Sequence, residues 1–343
     1  MFKFKNILNY KWLLLFILVC VSCFVAFSTF SKSEASIQLF VEPEATVAPV
    51  LNAINDAQKS IEIEVYMLTN QNIIDALINK ARNGVKVKVI LEHHPYGGDG
   101  SVRDIADELN NGGVKVHWGN KKFTYTHEKA IIIDGVKALI MTLNLTNASF
   151  VSNREYGLID TNLADVKEIR QVFDCDWNSV TPKLTNKNLL WSPVNSRDRL
   201  VKLIKSAKHT LSIETEGLAD LVIEEMLVAK AKEGVDVKLI ISPPSDMSTL
   251  KILVGNGVQV HLAGERKSPN DDQLYMHAKM MVVDGDKSAY VGSENLTKNS
   301  LDFNRELGIK LSHSSDDSNG ENGIIKELNS VFEVDWANTS PLT

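Results

Sequence analysis

Residues 126–134 read THEKAIIID, and 150 residues later residues 276–284 read MHAKMMVVD. Each copy sets a histidine, a lysine two residues on, and an aspartate five residues beyond that, at the start of an apolar run of β-type residues. Strand side chains alternate faces, so His127 and Lys129 point the same way, as do His277 and Lys279. The same alternation turns Asp134 and Asp284 away from the histidine face, and they read as structural.

A motif written twice prompts a search for a longer repeat. Ser60 to Tyr66 alternates as a strand, a helical pattern runs from Asn70 to Arg82, Gly84 stops it, and Val85 to Leu91 is a further strand. The second copy follows with a strand at Thr210–Thr215, a helix over Leu218–Glu233, Gly234, and a strand at Val235–Ile241. Next come the glycine turns and strands at 112–118 and 255–262, then the His-x-Lys strands. Each copy closes on a helix, VFDCDW at 172–177 and VFEVDW at 331–336. Strands alternating with helices predict an α/β fold of two similar halves, each a mixed sheet flanked by helices. The polar stretch Thr181 to Asn188 marks a boundary, giving halves at 36–185 and 186–343. Loops at 92–101, 243–248, 264–273 and 312–322 are expected to be exposed, the first three of them at strand ends where α/β sheets bind ligands.

Beyond each His-x-Lys strand lie an asparagine (Asn144, Asn295), a hydroxyl (Thr142, Ser293) and an Arg-Glu pair (Arg154-Glu155, Arg305-Glu306). This set suits phosphoryl transfer. Neutral imidazole can attack a phosphodiester without charge repulsion, while two lysines and two amides hold its oxygens. A second, protonated imidazole can donate to the leaving oxygen. A glutamate can fix each imidazole's tautomer and raise its basicity.

With these residues the chain resembles the phospholipase D superfamily, whose signature is HxKxxxxD followed by GSxN. The resemblance spans nearly all of the chain beyond its first 35 residues. It implies two motifs meeting at a pseudo-twofold axis in one active site, a covalent phosphohistidine, and no metal or other cofactor. It makes His127 and His277 the nucleophile and general acid, favouring His127 as nucleophile. Lys129, Lys279, Asn144 and Asn295 would bind phosphate, aided by Ser293 and Thr142, with Glu155 and Glu306 supporting the histidines. Two departures stand out. Met141-Thr142 replaces Gly-Ser, so Met141 is expected to crowd a close approach. The second copy also has one extra residue before its asparagine, which a bulge or longer turn near Asp286 would absorb.

Residues 1–35 read as a signal peptide or membrane anchor. Lys3, Lys5 and Lys11 precede an uncharged run from Trp12 to Phe30, with Ser33 and Ala35, or Ala26 and Ser28, at a cleavage site. An exported location is expected. The whole chain carries a net charge of −6, and without that segment the balance is 33 Lys+Arg against 42 Asp+Glu. An acidic balance counts against long nucleic acid and leaves a phospholipid membrane surface as the expected partner. With both motifs in one chain, a monomer suffices. A metal-independent endonuclease, a lipid synthase and a non-catalytic phosphate- or lipid-binding module are the competing readings, and Lys121-Lys122 is the best sequence support for the first. His93, His94, His117 and His261 lack metal-site spacing and read as loop or structural residues. Trp177 and Trp336 read as core anchors, and Cys175 is the one cysteine outside the leader.

Overall fold

The computed structural model describes residues 37–96, 101–243, 246–265, 274–315, 317 and 320–343. The expected leader at 1–35 lies outside them, as do parts of all four expected loops. Among the described residues no helix is long and apolar enough to cross a membrane.

The first half runs β1 (Ile37–Glu42), α1 (Ala48–Asp56), β2 (Ser60–Val65), α2 (Gln71–Arg82), β3 (Lys86–Leu91), α3 (Ser101–Asn111) and β4 (Lys115–Trp118). It continues with β5 (Lys129–Ile133), β6 (Lys137–Met141), α4 (Asn147–Val151), β7 (Asn153–Asp160) and α5 (Leu163–Trp177). The second half runs β8 (Leu189–Ser192), α6 (Ser196–Ser206), β9 (Thr210–Thr215), β10 (Leu218–Ala219), α7 (Leu221–Lys232), β11 (Asp236–Ile241), α8 (Met247–Gly255) and β12 (Gln259–Leu262). Then follow β13 (Tyr275–Met276), β14 (Lys279–Val283), β15 (Ser288–Gly292), β16 (Leu296–Thr297), α9 (Lys298–Asp302), β17 (Glu306–Ser312), α10 (Glu321–Asn338) and β18 (Ser340–Pro341).

The strand orders β1-β7-β6-β5-β2-β3-β4 and β8-β17-β15-β14-β9-β11-β12-β18 show the same arrangement twice. In each sheet the crossover strands pair parallel and the His-x-Lys hairpin pairs antiparallel. The sheets are mixed, as expected. The His-x-Lys strands are buried on both faces, which explains their unbroken apolar runs. Ile131 and Ile133 pack into an outer core with α1 and α2, whereas Ala130 and Ile132 enter a central core. That central core also holds Met280 and Val282 from the other sheet and apolar residues of α5 and α10. One apolar layer therefore ties both halves into a single compact unit.

Local boundaries have local causes. The Asn70 side chain accepts from the Ile73 N–H and starts α2. The second-half helix was expected from Leu218 but begins at Leu221, after the Asp220 cap, because Leu218–Ala219 pairs with β16 instead. The extra residue of the second copy lies in the turn between β14 and β15, which is one residue longer than that between β5 and β6. Asp134 and Asp284 open these turns in the left-handed region, φ 53° and 52°. Each carboxylate accepts backbone N–H groups, from Gln58, Lys59 and Ser60 in one case and Lys208, His209 and Thr210 in the other.

Candidate active site

The residues leading into each His-x-Lys strand cross to the other half. The His127 N–H donates to the Arg305 carbonyl and the Arg305 N–H to the Tyr125 carbonyl, both at 2.9 Å. In the corresponding place β13, immediately before His277, pairs parallel with Asn153 and Arg154 of β7. This reciprocal crossing sets each histidine beside a glutamate near the start of the other half's strand, β17 or β7. His127 Nδ1 lies 2.8 Å from Glu306 Oε2, and His277 Nδ1 lies 2.7 Å from Glu155 Oε1. Each carboxylate is held in turn. Glu306 accepts from the Ser300 hydroxyl (2.6 Å) and the Asn304 amide (3.0 Å). Glu155 accepts from the Thr142 hydroxyl (2.7 Å) and the Asn153 amide (3.2 Å).

With Nδ1 of each ring tied to a carboxylate, Nε2 is the nitrogen left for chemistry. Both histidines, Asn144 and Asn295 line one cavity of about 280 Å³, together with Tyr66, Tyr125 and Glu216. Lys129 and Lys279 are buried beneath it, and each ammonium donates to the carbonyl of its own motif's histidine. Burial pushes Lys129 down to about 7. Burial also lowers His127, outweighing the opposing pull of Glu306. Burial alone would raise Glu155 and Glu306, yet their histidine partners, nearby lysines and hydroxyl donors hold both below the usual carboxylate range. The result is two carboxylate-oriented imidazoles at one space with two buried lysines behind them, an arrangement able to hold and attack a phosphoryl group.

Residues 50–177 and 200–336, one stretch in each half, match the family model described as "Cardiolipin synthase, PLD-like domain". The chain belongs to the phospholipase D superfamily. Its family is one of phosphodiesterases and phosphotransferases. Over 352 residues it is 23% identical to a cardiolipin synthase of Clostridium perfringens, covering 90% of this chain and 73% of that one. It is 26% identical to a polyphosphate kinase of Yersinia pestis over 270 residues, which are 74% of this chain but 38% of the kinase. Its fold matches the phosphatidylserine synthase of Haemophilus influenzae with a TM-score of 0.69 at 14% identity, covering 90% and 87% of the two chains.

Several residues of this phospholipase D-type site sit differently from expectation. Met141 does not crowd the approach; its side chain lies in the outer core with Leu139 and Leu143. The second half trades that volume. At the matching place is Gly292, and the space is taken by Tyr290 and Glu294, whose hydroxyl-to-carboxylate hydrogen bond is 2.6 Å. The Thr142 hydroxyl is spent on Glu155, and the Ser293 hydroxyl donates to the Leu307 carbonyl at 3.3 Å. Both hydroxyls are fully buried and brace β7 and β17.

Glu216 went unnoticed in the sequence. The repeat carried the signal, since Glu216 follows β9 as Tyr66 follows β2, placing a charge where the first copy has a ring. Its Oε2 lies 3.0 Å from Lys279 Nζ, 3.3 Å from Asn295 Nδ2 and 3.4 Å from His277 Nε2. Away from the cavity, His117 and His261 stack on Trp177 and Trp336 at 3.6 Å. Lys122 lies 3.7 Å from Asp176. One grouping among the described residues has the spacing of a cation site: the buried carboxylates of Glu64, Glu128 and Asp176 lie within 4.8 Å of one another. Burial raises Glu64 and Glu128 well above the usual range, and Arg305 Nε pairs with Asp176 at 2.7 Å.

Proposed function

We propose that this chain is an exported enzyme that transfers or hydrolyses phospholipid head groups through a covalent phosphohistidine. The observation that carries the reading is the pair of crossed histidine–glutamate contacts, which bring His127 and His277 to one cavity with Asn144 and Asn295, backed by the buried Lys129 and Lys279. In the proposed reaction His127 Nε2 attacks phosphorus and the head-group alcohol leaves with a proton from His277. A second alcohol, or water, then attacks the phosphohistidine, returning its proton to His277 as the P–N bond breaks. The cavity has room for a phosphoryl group and a small alcohol, which fits acyl chains that stay in a bilayer. Support for a lipid comes from the acidic balance, from the matching family description and from the name of the clostridial relative. The leader-like residues 1–35 support a site outside the cytoplasm.

Vesicles of phosphatidylglycerol and phosphatidylethanolamine, analysed by mass spectrometry after incubation, test the reading. Free head group or head-group-exchanged lipid is expected with the wild type and none with His127→Ala. Unchanged lipid from every vesicle, alongside nicking of plasmid in EDTA, would replace it with the nuclease.

A further inference from the structure

The two halves match in every group that would grip a phosphoryl oxygen, but one position breaks the symmetry. In the first half Tyr66 lies edge-on to His127, with ring centroids 4.7 Å apart. Among the described residues no carboxylate contacts His127 Nε2 or Asn144 there, while the Oδ1 atoms of Asn144 and Asn295 alike are buried without a partner. In the second half a single oxygen, Glu216 Oε2, faces Lys279, Asn295 and His277 Nε2 at 3.0–3.4 Å. Its other oxygen accepts the Tyr275 hydroxyl at 3.1 Å. One anionic oxygen shared by an ammonium, an amide and an imidazole is how a phosphoryl oxygen is held.

We propose that Glu216 is a resident anion that occupies the phosphoryl-oxygen position of the second half, so that an incoming phosphoryl group competes with it and seats chiefly on the first half's donors beside His127. Glu216 is then a specificity-determining residue. It screens the second half's charge, weakens free oxyanions and phosphomonoester dianions most, and leaves a singly charged diester as the substrate best matched to the site. It also covers His277 Nε2, leaving His127 as the more open imidazole. Burial would raise its carboxyl, but His277 and Lys279 hold it well below the usual range. The inference rests on the reading that the cavity takes a phosphoryl group, and not on which ester supplies it.

Tungstate, a phosphate-shaped dianion, tests this without any turnover. By titration calorimetry Glu216→Gln, which keeps the side chain's shape, is expected to bind tungstate roughly tenfold or more tightly than the wild type. Glu216→Ala is expected to do the same, and adding Lys279→Met to either should abolish the gain. With the chromogenic diester bis(p-nitrophenyl) phosphate, KM should fall in Glu216→Gln more than kcat changes. Tungstate affinity that is unchanged or weaker in both Glu216 variants, each folded by circular dichroism, overturns the proposal. Tighter tungstate binding together with intact lipids in the vesicle assay would retain the resident anion and discard the lipid substrate.

Discussion

His127 and Glu306, 179 residues apart in sequence, meet at 2.8 Å across the two halves, and His277 meets Glu155 at 2.7 Å in the reciprocal crossing. Each imidazole is therefore oriented by the copy that does not contain it. Replacing Glu306 with Gln keeps the shape but offers an amide where Nδ1–H needs an acceptor. A loss of roughly 10²–10⁴-fold in kcat is expected on a soluble phosphodiester. Because the two residues act as a unit, His127→Ala with Glu306→Gln should be no slower than His127→Ala alone. Steady-state rates of the three variants check this.

The pH profile follows from two buried groups. Attack needs neutral His127, which burial places below its ordinary pKa of roughly 6.5. Activity should therefore persist below the pH at which an ordinary histidine takes up its proton. Lys129 must be charged, and burial brings it down to about 7, so kcat/KM should fall as the pH rises through neutrality. A bell-shaped profile with its optimum on the acid side of pH 7 is expected for the free enzyme. Lys129→Arg, whose cation persists at all these pH values, should remove the Lys129 contribution to the alkaline limb. A profile from pH 5 to 9 with both proteins decides it.

Asp134 closes a turn rather than a site. Its carboxylate accepts the N–H groups of Gln58 and Lys59 at 2.9 and 2.6 Å, as well as that of Ser60 at 2.9 Å. Asp134→Ala should cost about 1–3 kcal/mol in urea unfolding, from these acceptors and from a left-handed backbone that alanine tolerates poorly. Asp134→Asn, which keeps an acceptor and tolerates φ 53°, should cost less. Burial would raise its pKa, but the backbone donors lower it, so its stabilisation is present above the unfolded value near 3.8 and lost as the pH falls below it.

Gly292 lies opposite Gly308 in the β15–β17 register, and a Cβ at Gly292 would come 2.5 Å from the Gly308 Cα. Gly292→Ala should therefore destabilise by about 1–3 kcal/mol. The first half carries methionine there because Leu139 and Leu143 stand where the second has Tyr290 and Glu294. Gly292→Met combined with Tyr290→Leu and Glu294→Leu should recover most of the loss that Gly292→Met alone would cause. Chemical denaturation of the single and triple variants measures the difference.

The repeat, the paired motifs and the strand faces were legible in the sequence because alternation and spacing are local signals. Which glutamate serves which histidine was not. Spacing within a half places Glu155 near His127 as plausibly as near His277, and only the crossing of β13 onto β7 decides between them. β1 went unread because its six residues abut the leader-like segment and gain their meaning from pairing with β7. The start of α7 moved because a two-residue pairing with β16 outcompeted helix propensity at Leu218. Glu216 escaped because it sits past the end of a strand pattern and outside the motif, where only the broken match with Tyr66 marks it.

The reciprocal crossing also bears on how such a site can change over time. Two separate copies of one half could satisfy both histidine–glutamate contacts, but their symmetry would impose identical residues on the two sides of the cavity. Within one polypeptide that constraint is gone, and the partner copy is present at a fixed one-to-one ratio however dilute the protein is. The lineage could then place a tyrosine opposite a glutamate, and a methionine opposite a glycine, while both contacts stayed intact. Covalent fusion thus permits a lopsided pocket inside a symmetric frame.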